Sequence, residues 1–166
     1  MSEITDPRAL FVHQLGEALS MERTTLTILK RNEEAAGDPE LQRLFGHHRE
    51  ETEGQIRNLE SVFSALGEDA TGHVCHGMEG MKNEAAELTE KVAPNLRDGA
   101  LAGGATHVEH YEIATYESLR GQAEAMGEQD VVALLQENLE QEQHTLQEID
   151  RAAQRLVQLT GGRIAS

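Results

Sequence analysis

Four long stretches of this chain carry apolar stripes in steps of three and four residues, and each stripe is broken near its midpoint by a glutamate. The glutamates are Glu22, Glu51, Glu112 and Glu142, with Glu109 one turn before Glu112. Stripes of this kind fold as amphipathic helices that bury one face against each other. A bundle core does not keep bare carboxylates, because a buried, unpaired carboxylate costs several kcal/mol or more. Carboxylates converging at one level require cations, so metal binding is the first chemistry the sequence points to.

The helices can be placed from their ends. Asp6 is an N-cap with Pro7 at the first helical position, and the seam Phe11, Leu15, Ala18, Glu22, Thr25, Leu29 predicts a helix over about 7–36. Gly37-Asp38-Pro39 breaks it, and Asp38 caps a second helix over 39–66 with seam Leu41, Leu44, His48, Glu51, Gln55, Leu59, Val62, Leu66. After Gly67 comes a crossover with one short helix over 75–92, closed by Pro94. A helix over 95–126 runs Leu101, Ala105, Val108, Glu112, Tyr116, Leu119, Ala123, Met126 and ends at Gly127. The last helix, 128–159, has Glu142 as the one polar break in its stripe, and the tail from Gly161 to Ser166 is expected to fray. The expected fold is all-α: one domain over 1–166, a four-helix bundle of two antiparallel hairpins with a short extra helix in the long crossover. Gly54, Gly80, Gly99, Gly103, Gly104 and Gly121 fall inside or near helical stretches and mark candidate places of close packing.

Helical rise then sets the height of each glutamate. Glu22 lies 16 residues before Asp38 and Glu51 lies 13 after it; Glu112 and Glu142 each lie 15 residues from Gly127. At ~1.5 Å per residue each pair sits roughly 20–24 Å from its own turn. All four therefore meet at one level, as in carboxylate-bridged di-metal bundles. Oxygen-rich sets suit iron or manganese, and all-oxygen sets also admit magnesium or calcium. The long arm of glutamate lets it bridge two ions across a helix gap.

Other residues on these stripes have two readings each. Glu109, three residues before Glu112, can face the same centre. His48 is a ligand, or a core histidine satisfied by another side chain. Gln55 reads as a partner behind a ligand, and Tyr116 either donates to a ligating carboxylate or packs as a core tyrosine. His73, Cys75 and His76 lack the spacing and the fourth ligand of a structural zinc site and read as a surface loop. His47 is expected in solvent, His110 at a helix or dimer contact, and His144 facing away from the centre.

Composition excludes several classes. Thirty acidic against 14 basic residues give a formal charge of −16, which repels nucleic acid and anionic membranes and favours cations. The N-terminal MSEITDPRALFVHQLGE has no basic region followed by an apolar one, and no 18-residue apolar run occurs. A cytoplasmic location without a membrane span is expected. The single cysteine, Cys75, fits a reducing compartment. No Gly-rich phosphate loop, Ser–His–Asp pattern or CxxC is present.

The segments HREETEGQ (48–55), CHGMEGM (75–81), RDGALAGGATHVEHYEIATY (97–116) and LLQENLEQE (134–142) resemble the bacterial YciE/YciF stress-protein family. The resemblance covers nearly the whole chain. It implies a ferritin-like, rubrerythrin-related fold and a stress-induced, cytoplasmic, often dimeric protein. By resemblance to rubrerythrin-like di-iron sites, Glu22 and Glu51 take the ligand places of the first two long helices, Glu109 and Glu112 the paired places of the third, and Glu142 that of the fourth. Those sites add a histidine three residues after the glutamates of the second and fourth long helices. Here Gly54 and Thr145 stand at that spacing, which weighs against iron redox chemistry more than against metal binding.

The expected function is a stress-associated protein with a carboxylate-bridged pair of metal ions, iron or else manganese or another divalent ion. It would oxidise ferrous iron or consume peroxide, with oxygen or peroxide as the small-molecule partner, and form a homodimer. The alternative is a stress-induced structural or interaction protein with a structural ion or none. A cage-forming mini-ferritin fits the crossover helix less well.

Overall fold

The computed structural model describes residues 3–161, and all regular structure among them is helical. The elements are α1 (Pro7–Ala35), α2 (Pro39–Leu66), α3 (His76–Lys91), α4 (Arg97–Met126) and α5 (Gln129–Gly161), with a single 3-10 turn at Pro94–Leu96 before α4. The fold is ferritin-like: α1 packs on α2 and α4, and α5 packs on α2 and α4.

The expected ends hold because local chemistry fixes them. The Asp6 carboxylate accepts from the Ala9 amide at 2.9 Å and the Asp38 carboxylate from the Leu41 amide at 3.0 Å. Gly67 and Gly127 take the left-handed conformation, φ 70° and 77°, that closes α2 and α4. Several boundaries differ by one or two residues from the sequence reading. Cys75 is the N-cap of α3, α4 begins two residues late behind the 3-10 turn, and α5 continues through Gly161, the last residue described. The expected fraying of 162–166 lies outside the described residues.

The crossover carries the chain from the far end of α2 back to the α1–α2 turn. There Asp98 of α4 accepts from the Gly37 amide at 2.8 Å, and Arg155 of α5 grips Asp38 with two hydrogen bonds of 2.8 and 2.9 Å. All four long helices thus share one end at that turn. The crossover loop lies directly on α1, where the His73 amide donates to the Gly16 carbonyl at 3.0 Å. Only glycine permits this approach. A Cβ at residue 16 would stand 2.6 Å from His73 Cδ2 and 2.7 Å from the Thr71 carbonyl oxygen. Gly16→Ala should therefore lift the loop and destabilise the protein by ~1–3 kcal/mol in chemical denaturation; a neutral substitution would refute this docking. The glycines singled out from sequence are more open. Nothing lies within 4 Å of a Cβ at Gly80, Gly99, Gly103 or Gly121, and Gly54 and Gly104 meet only ordinary contacts.

The apolar core is divided. One cluster, with Phe11, Leu15, Leu19, Phe63, Leu119 and Leu135, fills the end near Gly67 and Gly127. The other, with Leu29, Leu41, Phe45, Leu101, Ile149 and Leu156, fills the end near Asp38. Each fully buried side chain of this size contributes roughly 1.5–3 kcal/mol. Between the clusters lies a buried polar layer drawn from all four long helices: Glu22, Thr25, His48, Thr52, Gln55, Glu109, Glu112, Asn138, Glu142 and Thr145.

Candidate metal centre

At the middle of this layer, His48 of α2, Glu109 and Glu112 of α4, and Glu142 of α5 each bring one ligand atom within 4.8 Å of the others'. His48 lies between two acids: its Nδ1 is 3.2 Å from Glu109 Oε1 and its Nε2 3.3 Å from Glu142 Oε2. Neither approach has hydrogen-bond alignment, so the imidazole sits among the carboxylates by charge rather than by directed bonds. Glu22 of α1 is also fully buried here, close enough to Glu142 and Glu112 to raise the pKa of both itself and Glu112.

Two hydroxyls hold the far side. Thr25 donates to Glu112 Oε1 at 2.6 Å, and Tyr116 makes a short hydrogen bond to Glu22 Oε1. Asn138 braces Tyr116 from behind, its Nδ2 donating to the phenol oxygen at 3.1 Å, and Asn58 in turn donates to Asn138 Oδ1 at 2.8 Å. Tyr116→Phe leaves both Glu22 Oε1 and Asn138 Nδ2 short of a partner. The variant should lose ~1–2 kcal/mol of stability in urea unfolding. An unchanged midpoint would mean the bond is not worth making.

The electrostatics follow from burial of like charges. Burial, then the charge of Glu142, push the Glu22 carboxyl up to about 8 despite the Tyr116 hydrogen bond and the His48 charge. Burial pushes Glu142 up to about 7, against the opposing pull of His48. Burial and then Glu142, Glu22 and Glu109 hold Glu112 well above the ordinary carboxyl range. For His48, burial opposes the charged form, but Glu109 and Glu142 outweigh it and raise the imidazole well above its ordinary value. His48 is thus the layer's own cation.

The donor set fits a metal ion on one further observation. Both oxygens of Glu142, one oxygen each of Glu22, Glu109 and Glu112, and both His48 nitrogens are buried without a hydrogen-bond partner. Buried polar atoms in that state are costly unless an ion satisfies them, the carboxylate oxygens directly and the imidazole once its proton has left. One imidazole with several carboxylates is a mixed nitrogen–oxygen set, suited to iron or manganese and admitting zinc.

The chain matches, over residues 6–160, the family described as Domain of unknown function (DUF892). It belongs to this family. Across 138 residues it is 36% identical to Protein YciF of Escherichia coli (strain K12), covering 82% of this chain and 83% of that protein. The crystal structure of the E. coli stress protein YciF superposes with a TM-score of 0.89 at 32% identity, over 93% of this chain and 99% of that one. YcfI from Rhodopseudomonas palustris, provisionally described as a structural protein, gives 0.87 at 32% identity over 89% and 95% of the two chains. A protein of Xanthomonas campestris pv. campestris shares the fold at 23% identity, with a TM-score of 0.75 over 95% and 98%. The resemblance read from the sequence is therefore a family relationship.

Against the family expectation, the structure brings Glu22, Glu109, Glu112 and Glu142 together and leaves Glu51 at the edge. The Glu51 side chain is 19% exposed, accepting from Thr145 Oγ1 at 3.2 Å with His47 Nδ1 at 3.5 Å. The buried face of α2 runs His48, Thr52, Gln55, a step of four where the sequence reading took three, so Thr52 rather than Glu51 points inward. The α2 member of the centre is accordingly His48, three residues before Glu51. Gln55 is buried beside the layer with both side-chain polar atoms free of partners. His47, His110 and His144 are exposed, and His144 lies 3.9 Å from Glu148. His73 stacks on His13 with ring centroids 4.5 Å apart, and the Cys75 sulfur is 3.4 Å from the Tyr111 hydroxyl, so these residues form no metal cluster among the described ones. Asn138 went unread. It lies four residues before Glu142, on the same face, but Leu139 beside it satisfied the apolar pattern. No helix among the described residues is long and apolar enough to cross a membrane.

Proposed function

We propose that this protein is a stress-associated, ferritin-like metal protein in which His48, Glu109, Glu112 and Glu142, with Glu22 alongside, hold a carboxylate-bridged pair of metal ions, iron in the first instance. The observation that carries the reading is the buried layer itself: His48, Glu109, Glu112 and Glu142 within reach of one ion, Glu22 buried alongside, and polar atoms of all five without hydrogen-bond partners. Such a pair would supply a redox-active, Lewis-acidic site where oxygen or peroxide is bound and reduced at the expense of ferrous iron. The chain's residues do the rest. Glu109, Glu112 and Glu142 would hold the metal through their carboxylates and offset its charge, and His48 would offer a nitrogen once its proton has left. Tyr116 and Thr25 fix the carboxylate rotamers of Glu22 and Glu112. The two apolar clusters keep water from the layer on both sides.

The second reading is a protein with a structural ion or none. It draws on Thr145, which stands where rubrerythrin-like sites have a histidine and is engaged with Glu51 instead. The provisional description of YcfI leans the same way.

One experiment separates them: anaerobic titration of the metal-free chain with ferrous iron, followed by oxygen or peroxide, with near-ultraviolet absorbance recorded throughout. Two irons per chain and an oxidation band that Glu112→Gln abolishes are expected. Iron that binds but gives no band on either oxidant leaves the structural reading, and no stoichiometric iron removes the di-metal reading altogether. The family resemblance also supports a homodimer, which the mass in solution measures directly.

A further inference from the structure

The centre is sealed on one side and latched on the other. Toward α1, Thr25 and Tyr116 stopper Glu112 and Glu22, both fully buried. The side chains of His48, Glu109 and Glu142 are only 2%, 1% and 0% exposed. Among the carboxylates singled out from the sequence, Glu51 alone reaches water, at 19%. It stands one turn from His48 on α2, while its partner Thr145 stands one turn from Glu142 on α5. The Thr145–Glu51 hydrogen bond therefore closes the α2–α5 seam directly beside the two residues that clasp each other across it. Outside Glu51 lies the exposed imidazole of His47, 3.5 Å away.

We infer that Glu51, backed by His47, is the loading point of the centre: it takes a divalent cation from solvent at the α2–α5 seam, passes it inward to His48 and Glu142, and is not a resident ligand. The inference rests on the reading of the buried layer as a metal site. The chemistry is that of a mobile carboxylate. In the closed position its charge is held by the Thr145 hydroxyl; on meeting a hydrated cation it exchanges that bond for a metal–oxygen contact, and the rotation opens the seam. The net charge of −16 on the whole chain favours cations over anions at its surface. Because a station on the path lowers the barrier equally in both directions, its loss slows uptake and release together and leaves the equilibrium constant unchanged. Loss of a resident ligand does the reverse.

The test is stopped-flow uptake of Co2+ by the metal-free, full-length chain, followed by cobalt absorbance, with release measured by chelator chase. Glu51→Gln keeps an acceptor for Thr145 and removes the charge. Its association and dissociation rates should both fall about tenfold, a barrier increase of ~1.4 kcal/mol, with Kd within about twofold. The on-rate should depend less on salt in the variant than in the wild type, an effect that a merely structural role for Glu51 would not produce. A Kd weakened tenfold or more at an unchanged on-rate makes Glu51 a ligand and overturns the inference. Unchanged rates overturn it as well. Failure of the wild-type chain to take up stoichiometric Co2+ is a different result, seen before any variant is made, and it removes the metal site itself.

Discussion

Glu112→Gln should make the metal-free protein more stable at pH 8 and nearly unable to bind metal. Glu112 is buried among Glu22, Glu109 and Glu142, and the nearby His48 offsets only part of that repulsion. An amide keeps the Thr25 hydrogen bond and removes the charge. The expected gain is ~2 kcal/mol, which is roughly 4–8 °C in Tm for a chain of this size. The pH dependence has a definite sign. Burial raises the folded-state value of Glu112 above the 4.5 of the unfolded chain, so the folded state binds the extra proton. That contribution is fully present below 4.5 and is lost as pH rises through the raised value. Glu22, at about 8, and Glu142, at about 7, act in the same direction. The metal-free wild type should therefore lose stability between pH 5 and pH 8.5, the gap between it and Glu112→Gln should close near pH 5, and saturating metal should reverse the trend. Scanning calorimetry across that range, with and without metal, measures all three. A wild type that is equally stable at both ends would mean the layer is not under charge strain.

His48→Ala should act in the opposite direction. It removes the buried imidazole that faces Glu109 and Glu142, at 3.2 and 3.3 Å, and leaves a cavity. Breaking a buried charge pair from one side costs ~3–5 kcal/mol, or roughly 6–20 °C in Tm. The raised imidazole contributes stability that is complete below 6.5 and lost as pH rises through its folded value, so the defect should be largest in mildly acidic solution and shrink toward alkaline pH. Metal affinity should fall at least about 100-fold, since a ligand is lost rather than a supporting group. Melting curves at pH 6 and pH 9, paired with the cobalt titration, decide the matter. A variant that melts with the wild type at pH 6 would show that His48 is not the counter-charge.

The fold was legible because its determinants are local. Asp6-Pro7, Asp38-Pro39, Gly67 and Gly127 each mark a helix end by their own chemistry, and all four act there as expected. Most of the site was legible for a different reason: a charged residue inside an apolar stripe has no cheap explanation, and Glu22, Glu112 and Glu142 are all fully buried. Glu51 shows the limit. A stripe advances by three or four residues, and at 100° per residue either step keeps the face. Glu51 and Thr52 were both compatible with α2, and only packing against the neighbouring helices selected Thr52. His48 remained ambiguous because a buried imidazole serves as ligand, cation or hydrogen-bond partner according to neighbours that lie on other helices. Asn138 was invisible because its role is to hold Tyr116, a tertiary contact across 22 residues of sequence.

The divided core has a further consequence for how strictly this bundle is assembled. Apolar ridges of leucine and alanine tolerate one helix sliding past another, since a shift of one turn, ~5.4 Å, brings similar residues back into contact. The polar layer does not. Moving α5 by one turn would carry Glu142 away from His48 and set it at the level now held by Thr145 or Asn138, breaking the bond to Glu51 or to Tyr116. The carboxylates that cost the resting protein stability thus act as its alignment marks, admitting one register of four helices and penalising every other.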